Sequence, residues 1–250
     1  MVKYVVTKKK PKLFKLVRMS VRVFFHKRTF VGLENLPKEP SLIIGNHSQL
    51  YGPITSEIYF PAKKYIWCTG EMMRLSEVPA YAFQDFWSLK PKYIRWVYKI
   101  LSYMIAPISA YIFTRADTIA VYRDSRLIKT YKESIKKLDE GAHMIIFPEC
   151  PEEYNNIINE FQDKYIDTAR LYYKKTGKCL DFVPMYNAVR LKKVLLGKPI
   201  KFNPDNPIEE ERKRINDYLK EEITKLAESL PVHIVVPYSN IKKKEYPKSK

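Results

Sequence analysis

Short apolar runs alternate along the chain with longer stretches in which apolar residues recur every three or four positions. Such runs, bounded by polar or turn residues, are typical of buried strands, and the longer spacing is typical of helices. The pattern predicts strands at residues 30–32, 42–44, 65–68, 119–122, 144–147, 182–186, 199–202 and 233–236. It predicts helices at residues 53–59, 77–86, 94–109, 126–139, 160–176 and 208–230, with Gly141 and Gly177 as helix stops. The alternation predicts an α/β fold with a mixed, partly parallel sheet flanked by helices.

A further helical pattern, at residues 12–26, precedes the first predicted strand. Its basic residues fall at spacings of three and four and line one face: Lys12, Lys15, Arg18, Arg22 and His26. A narrow basic stripe on a broad apolar body suits a helix in a membrane interface, although a helix packed on the domain fits the same pattern. We therefore predict a basic amphipathic membrane-interface segment, residues 1–28, followed by one α/β domain, residues 29–250.

The composition points to an anionic partner. The 250 residues carry a net charge of +18, which implies a membrane surface, a nucleic acid or a phosphorylated substrate. The first thirty residues contain ten Lys or Arg and no Asp or Glu, and the last ten residues are also basic. Three scattered cysteines do not make a disulfide framework or a zinc cluster, and the N-terminus lacks a signal-peptide pattern. We expect a reducing, cytosolic setting.

One other stretch, residues 96–113, approaches the length of a membrane span. It is mostly apolar but contains Lys99 and Pro107, which makes it marginal as a span. We expect a buried or groove-lining helix there and no transmembrane helix.

Two short motifs follow predicted strands and carry candidate chemistry. They are NHSQLYGP at residues 46–53 and IFPE at residues 146–149. A histidine and a glutamate at the ends of two strands can face one crevice, which is where ligands bind in an open α/β sheet. His47 has the natural pKa for a base at neutral pH. A single histidine after a strand is more often structural, but the two motifs together favour function.

The two motifs resemble the first and third motifs of the glycerophosphate acyltransferase family, whose members acylate lysophosphatidic acid and related lipids. That family has an aspartate five residues after the histidine, where this chain has Gly52, and Gly-Thr after Phe-Pro-Glu, where it has Cys150 and Pro151. Residues 119–123 resemble the second motif, which ends in an arginine. Residues 112–115 match it less well, and Val183-Pro184 resembles the fourth motif. In order, the four motifs span more than half of the chain.

The resemblance implies roles for six residues. His47 would be the catalytic base, with Asn46 in the same catalytic motif. Arg123 would bind the phosphate of the acceptor. Glu149 would bind the acceptor together with its neighbours Pro148 and Cys150. The resemblance also implies an acyl-CoA or acyl carrier protein donor, a lysophospholipid or glycerophosphate acceptor, and no metal or bound cofactor.

The departures from the family pattern leave questions open. Gly52 cannot orient the imidazole of His47, so Tyr51, a backbone carbonyl or a distant carboxylate would have to do so. The nearby carboxylates are Glu57, Glu71 and Asp85. The pair Glu152-Glu153 would repel a phosphate. Cys150 as a nucleophile is an alternative, although a free cysteine is more often a small buried apolar residue.

Three functions follow, from different classes. The first is a membrane-surface acyltransferase, peripheral on the cytoplasmic face. The second is a catalytically weak or inactive relative that binds lipid, which Gly52 favours. The third is nucleic-acid binding, from the charge and the 14% aromatic content. No nucleic-acid motif is recognisable, so we expect no nucleic-acid partner.

Overall fold

Ten strands and seven α-helices lie within residues 11–88 and 90–250, the part of the chain that the computed structural model describes. The strands are β1 (Thr29–Val31), β2 (Ser41–Gly45), β3 (Lys64–Thr69), β4 (Thr118–Val121), β5 (His143–Ile146), β6 (Glu149–Glu153), β7 (Asn159–Phe161), β8 (Asp181–Ala188), β9 (Lys193–Leu196) and β10 (Ile200–Lys201). The helices are α1 (Lys12–Phe24), α2 (Tyr51–Tyr59), α3 (Val78–Ala82), α4 (Arg95–Arg115), α5 (Leu127–Asp139), α6 (Asp167–Thr176) and α7 (Ile208–Glu228). Residues 1–10 of the predicted membrane-interface segment lie outside the described residues.

Eight strands form one sheet in the order β1-β9-β8-β2-β5-β3-β4, with β10 added beside β8. Neighbours from β8 through β2, β5 and β3 to β4 are all parallel, and β1 is parallel to β9. Strands β9 and β10 run antiparallel to β8. Strands β6 and β7 form a separate antiparallel pair. The predicted mixed sheet flanked by helices is confirmed, and it is mostly parallel.

The central strands are buried on both faces, which is why they read as continuous apolar runs. Along β2, Leu42 and Ile44 face the larger core cluster, which also contains residues of α5, α6 and α7. Ile43 faces the opposite way, into a smaller cluster that includes Phe60 at the end of α2. Each fully buried side chain of this size contributes about 1.5–3 kcal/mol to folding. The two clusters fix the register of β2 and, with it, the position of the residues that follow.

Some predicted elements are wrong in place or extent. Residues 233–236 are not a strand, and only Ile234 pairs there, in an isolated bridge with Lys248. The helix predicted from residue 160 begins at Asp167, because residues 159–161 pair with β6 instead. The predicted helix at residues 77–86 is short α3 followed by a π-helical turn, Phe83–Trp87. The strands β6, β7 and β9 were not predicted. The glycine stops are confirmed, since Gly141 and Gly177 have φ values of 80° and 70°.

Helix α4 is buried on one face only, whereas the sequence led us to expect a buried or groove-lining helix. Its outer residues are exposed, for example Trp96 and Met104, each at 65%. By length and composition, the segment Lys92–Arg115 could cross a membrane, with 22% of its apolar window buried. The helix continues through Pro107 to Arg115, six residues beyond its predicted end.

Candidate active site at the carboxyl edge of the sheet

The sheet order brings the predicted site residues to one edge. Strands β2, β5, β3 and β4 are parallel, so their carboxyl ends lie side by side. His47 follows β2, Glu149 follows β5 and Arg123 follows β4. Since neighbouring strands are about 4.8 Å apart, β4 lies roughly 10 Å from β5. The edge is therefore wide enough for a crevice between His47 and Arg123.

Asn46 is a buried connector between two strands. Its side-chain oxygen accepts a hydrogen bond from the backbone N–H of Asn187 at 2.7 Å, and its amide donates to Ser48 Oγ at 2.8 Å. The Asn187 amide donates in turn to the Asn46 carbonyl at 3.0 Å. These bonds join the end of β2 to the end of β8 and fix where His47 begins. The structure places Asn46 beneath the crevice, holding the loop.

The loop after His47 has an uncommon backbone. Ser48 and Gln49 have φ values of 48° and 54°, in the left-handed region that costs non-glycine residues on the order of 1–2 kcal/mol each. The bond from Asn46 to Ser48 supports the first residue. Gln49 donates its side-chain amide to Tyr246 Oη at 2.9 Å. Two strained residues held by surrounding contacts are typical of a functional turn.

The imidazole of His47 stands between two aromatic rings. Phe147 contacts it edge-on at a centroid distance of 5.5 Å, and Tyr238 does so at 5.8 Å. Nδ1 is buried and makes no hydrogen bond of ordinary geometry among the described residues, so we assign Nε2 as the nitrogen that would face a substrate. Burial lowers the pKa of His47, and the backbone of Gln49 opposes this shift only in part. The ring is therefore neutral at pH 7 and can accept a proton.

Gly52 leaves no room for the orienting side chain. A Cβ at this position would lie 2.6 Å from the His47 carbonyl oxygen and 2.9 Å from that of Asn46. The Gly52 N–H donates to the His47 carbonyl at 3.1 Å, so α2 begins directly against the histidine loop. An aspartate at position 52 would require the backbone to move.

Two of the carboxylates that could orient His47 are engaged elsewhere. Glu57 forms a salt bridge with Lys64 at 2.7 Å. Glu71 accepts a hydrogen bond from the Thr69 hydroxyl at 2.8 Å. The ring of His47 contacts Phe147 and Tyr238 instead, in contrast to the charge-paired histidine that the family pattern implies.

Glu149 is buried, with 3% of its surface exposed, and binds backbone groups with both oxygens. One oxygen accepts a short hydrogen bond from the backbone N–H of His47. The other accepts from the backbone N–H of Asn159 at 3.0 Å. Burial raises the pKa of Glu149 to about 7, and the two backbone bonds oppose it. The carboxylate thus ties the histidine loop to β7, and its role toward an acceptor stays a prediction.

Cys150 and Pro148 lie on either side of Glu149 in the β6–β7 region. The thiol of Cys150 donates to the Glu160 carbonyl at 3.2 Å, and burial raises its pKa to about 11. A protonated thiol of this kind is a poor nucleophile. Pro148 is buried, and its carbonyl accepts from the backbone N–H of Gln162 at 2.9 Å.

Arg123 is exposed just beyond β4. Its neighbour Asp124 pairs with Arg126 at 2.7 Å and not with Arg123. Among the described residues Arg123 makes no ion pair, but its charge acts on two neighbours. Burial raises the pKa of Asp85 and that of Tyr238, and the charge of Arg123 opposes both shifts. Arg123 therefore lies on the same crevice as Tyr238, which contacts His47.

Several site residues were missed from the sequence. Asn187 lies in the apolar strand β8. A single polar residue inside such a strand was the only sequence feature that could have indicated it. Tyr238 lies beyond the last helix, and only folding brings it to His47. Tyr81, in α3, bonds to Thr69 and has its pKa raised by burial and then by Asp85. In the described part of the chain, no group of three or more His, Cys, Asp or Glu could hold a metal ion.

The fold is similar to that of a solved enzyme. The crystal structure of the 1-acyl-sn-glycerophosphate (LPA) acyltransferase PlsC from Thermotoga maritima aligns with a TM-score of 0.50 and 18% sequence identity. The alignment covers 86% of this chain and 78% of that one. No protein-family model matches the chain, and no curated protein matches it. At this identity the likeness concerns the fold.

Proposed function

We propose that this protein transfers a fatty acyl group from a thioester to the alcohol of a lysophospholipid or glycerophosphate at a membrane surface. The observation that carries the proposal is the neutral His47 at the carboxyl edge, on a fold shared with an acyltransferase. We assign its Nε2 to the substrate. The backbone N–H of His47 donates to the Glu149 carboxylate, which fixes the loop. The donor would be acyl-CoA or acyl carrier protein.

In the proposed reaction His47 acts as a general base. Nε2 takes the proton of the acceptor hydroxyl as its oxygen forms a bond to the thioester carbonyl carbon. The carbon–sulfur bond then breaks, and the proton passes from the imidazolium to the departing thiolate. General-base catalysis of this kind contributes about 10²–10⁴ in rate. Since no carboxylate in residues 11–88 and 90–250 bonds to the imidazole, we expect turnover slower than in enzymes with a complete histidine–acid pair.

The acceptor phosphate would bind on the β4 side of the crevice. Arg123 is exposed there and free of Asp124, and a guanidinium suits phosphate geometry. The β6–β7 hairpin carries Glu152 and Glu153, both exposed, which repel an anion. Charge therefore favours a phosphate beside Arg123 over one beside the hairpin.

The test is ester formation from a labelled acyl thioester with a panel of lysophospholipids and glycerophosphate. The proposal expects a labelled product carrying one more acyl ester than the acceptor, with at least one acceptor, and its loss in His47→Ala. Equal product formation by His47→Ala would overturn the role of His47. The variant's circular dichroism spectrum and melting temperature show whether it is folded.

A second candidate function is lipid binding without turnover. Two observations favour it. Nδ1 of His47 has no hydrogen-bond partner among the described residues, and the backbone leaves no space for an acid at position 52 that could orient the ring. This function predicts that lysolipid binds while no acceptor yields product. Binding of a labelled lysolipid, measured beside the turnover assay, separates the two functions.

The membrane attachment of residues 1–28 stays part of the proposal. In the described part of this segment, Phe14 is buried, and Arg18 donates to the Glu57 carbonyl of α2 at 2.8 Å. The Arg22 guanidinium lies over the Tyr59 ring of α2. Two members of the basic stripe therefore face the domain. The outer side chains Leu16 and Phe24 are exposed and could enter a bilayer surface on the cytoplasmic face.

A further inference from the structure

Helix α4 turns its bulky apolar side chains toward solvent and its small side chains toward the protein. The buried face consists of Ser102, Ala106, Ser109 and Ala110. The exposed face carries Trp96, Ile100, Tyr103, Met104 and Ile108, which are 54–65% exposed. This is the reverse of a helix in a water-soluble domain, where the bulky apolar stripe faces the core. An apolar face of this size on a folded protein marks an interaction surface.

Packing fixes the orientation of the helix. Ala106 belongs to a small core cluster with Met72, Val78 and Ala82, which lie in α3 and in the 3-10 turn Gly70–Met73. Ser109 donates a hydrogen bond to the Met72 carbonyl at 3.1 Å. The small residues let α4 approach α3 closely, so the bulky face is held outward.

The charges around α4 identify the kind of partner. Between Asp85 and Asp117 the chain has no Asp or Glu and five cations: Lys90, Lys92, Arg95, Lys99 and Arg115. Exposed Trp and Tyr among cations and aliphatic residues are typical of a membrane interface. Each Lys or Arg near an anionic leaflet adds about 1 kcal/mol. A second copy of the same face would instead bring cations against cations, which disfavours a symmetric dimer.

We propose that α4 lies along the surface of an anionic bilayer, with its Trp96–Ile108 face at the boundary between headgroups and acyl chains. The helix does not span the bilayer, because its buried face stays packed on α3 and Lys99 lies within its apolar stretch. Helix α4 packs on the turn that follows β3, at the edge of the sheet that carries His47 and Arg123. A docked α4 therefore holds the crevice close to the lipid surface. The docking itself does not rest on acyl transfer.

The test is flotation of the full chain with vesicles of phosphatidylglycerol and phosphatidylcholine, without an acyl donor. The variant is Ile100→Ser/Met104→Ser/Ile108→Ser, whose side chains are exposed, so the fold is expected to be retained. We expect vesicle affinity to fall about tenfold or more, since the removed apolar area is what enters the bilayer. The matched control is Ile128→Ser, on α5, where the side chain is 59% exposed and the affinity should not change.

Two readouts place the helix at the lipid. Vesicles should shift the tryptophan emission to shorter wavelength, and Trp96→Phe should remove most of that shift. Leu16→Ser/Phe24→Ser, on α1, measures the contribution of the other exposed helix in the same assay. Wild-type affinity in the triple α4 variant would overturn the proposal. So would sedimentation velocity showing that the wild type is a dimer which the triple variant dissociates, because a second copy would then cover the face.

Discussion

The polar groups of the candidate site fall into two sets, one hydrogen-bonded to backbone and one not. Asn46 and Glu149 are buried and bonded to backbone N–H groups of Asn187, His47 and Asn159. The imidazole Nδ1 of His47 is buried and makes no hydrogen bond in the described part of the chain, and the exposed guanidinium of Arg123 makes no ion pair there. Since buried polar groups in folded proteins are nearly always hydrogen-bonded, the unpartnered Nδ1 of His47 calls for an explanation. The bonded pair builds the site, and the unbonded pair is what a substrate would meet.

The largest effect is expected from removing the unbonded histidine. His47→Ala should lower turnover by about 10²–10⁴, because the general base is lost, while the free energy of unfolding changes by about 1 kcal/mol or less. For Asn46→Ala the main expected effect is on stability. Its free energy of unfolding should fall by about 1–3 kcal/mol, because the Asn187 N–H loses its partner. Initial rates and urea unfolding of both variants check the contrast. Similar losses of stability in His47→Ala and Asn46→Ala would contradict the distinction between groups that build the site and groups that face a substrate.

The next effect concerns the pH dependence of stability through Glu149. Burial raises the pKa of this carboxyl from 4.5 to about 7, so the folded protein keeps a proton that the unfolded chain releases. This difference in proton binding stabilises the folded protein by roughly 3 kcal/mol. The stabilisation is fully present below pH 4.5 and is lost as the pH rises through 7. The lowered pKa of His47 acts in the opposite sense below pH 6.5.

Comparison of variants isolates the Glu149 contribution. Glu149→Gln should abolish this pH dependence. It should also lower the free energy of unfolding by about 1–3 kcal/mol at every pH, because the amide NH2 must face one of the two backbone N–H groups. Glu152→Gln, an exposed change on the same strand, should leave the pH dependence of the wild type intact. Urea unfolding at intervals from pH 4.5 to 8 measures it. An unaltered pH dependence in Glu149→Gln would mean that Glu149 does not titrate in this range.

A smaller effect tests the space at Gly52. Gly52→Ala should cost about 1–3 kcal/mol, because the new Cβ would overlap two backbone carbonyl oxygens. Gly141→Ala is the control for backbone strain, since that site has open space but a φ of 80°. Gly52→Asp should be at least as destabilised as Gly52→Ala and no more active than the wild type. A faster, equally stable Gly52→Asp would show that the loop can accept the orienting acid.

The smallest effect on stability is expected at Arg123. Arg123→Ala should raise the KM for a phosphate-bearing acceptor about tenfold, by loss of a charged hydrogen bond, and change stability by about 0.5 kcal/mol or less. Arg126→Ala is the matched control, since Arg126 binds Asp124 and Glu77 and stacks on Tyr122. It should lower stability and leave the KM unchanged. A KM effect in Arg126→Ala alone would move the phosphate site to the other arginine.

The fold was predictable from the sequence where burial is complete. The runs in β2, β5 and β8 are apolar because both faces of each strand are covered. All three strands were therefore predicted at their places in the chain. The hairpin strands β6 and β7 were not predicted, since β6 is exposed after the buried Glu149 and the half-buried Cys150, and its sequence Glu-Cys-Pro-Glu-Glu has the composition of a loop. The outward face of α4 was also hidden, because an apolar helix looks the same in sequence whether a core or a bilayer covers it.

The candidate site was predictable as far as single motifs reach. The motif patterns located His47, Glu149 and Arg123, and the sheet order places all three at one edge. Their partners were not predictable, because Asn187 and Tyr238 come from distant parts of the chain. The sequence also showed that Gly52 replaces an acid, but only the structure shows that the backbone excludes one.

The most direct test of the account is a titration of the His47 imidazole by nuclear magnetic resonance, with 15N-labelled histidine and His47→Ala for assignment. The account predicts a pKa below 6.5, because burial disfavours the charged ring and no carboxylate among the described residues stabilises it. Added lysolipid should shift the Nε2 resonance at pH 7. A pKa above 6.5, with Nδ1 hydrogen-bonded to an acid, would contradict the claim that His47 is the unpaired, neutral group of this site.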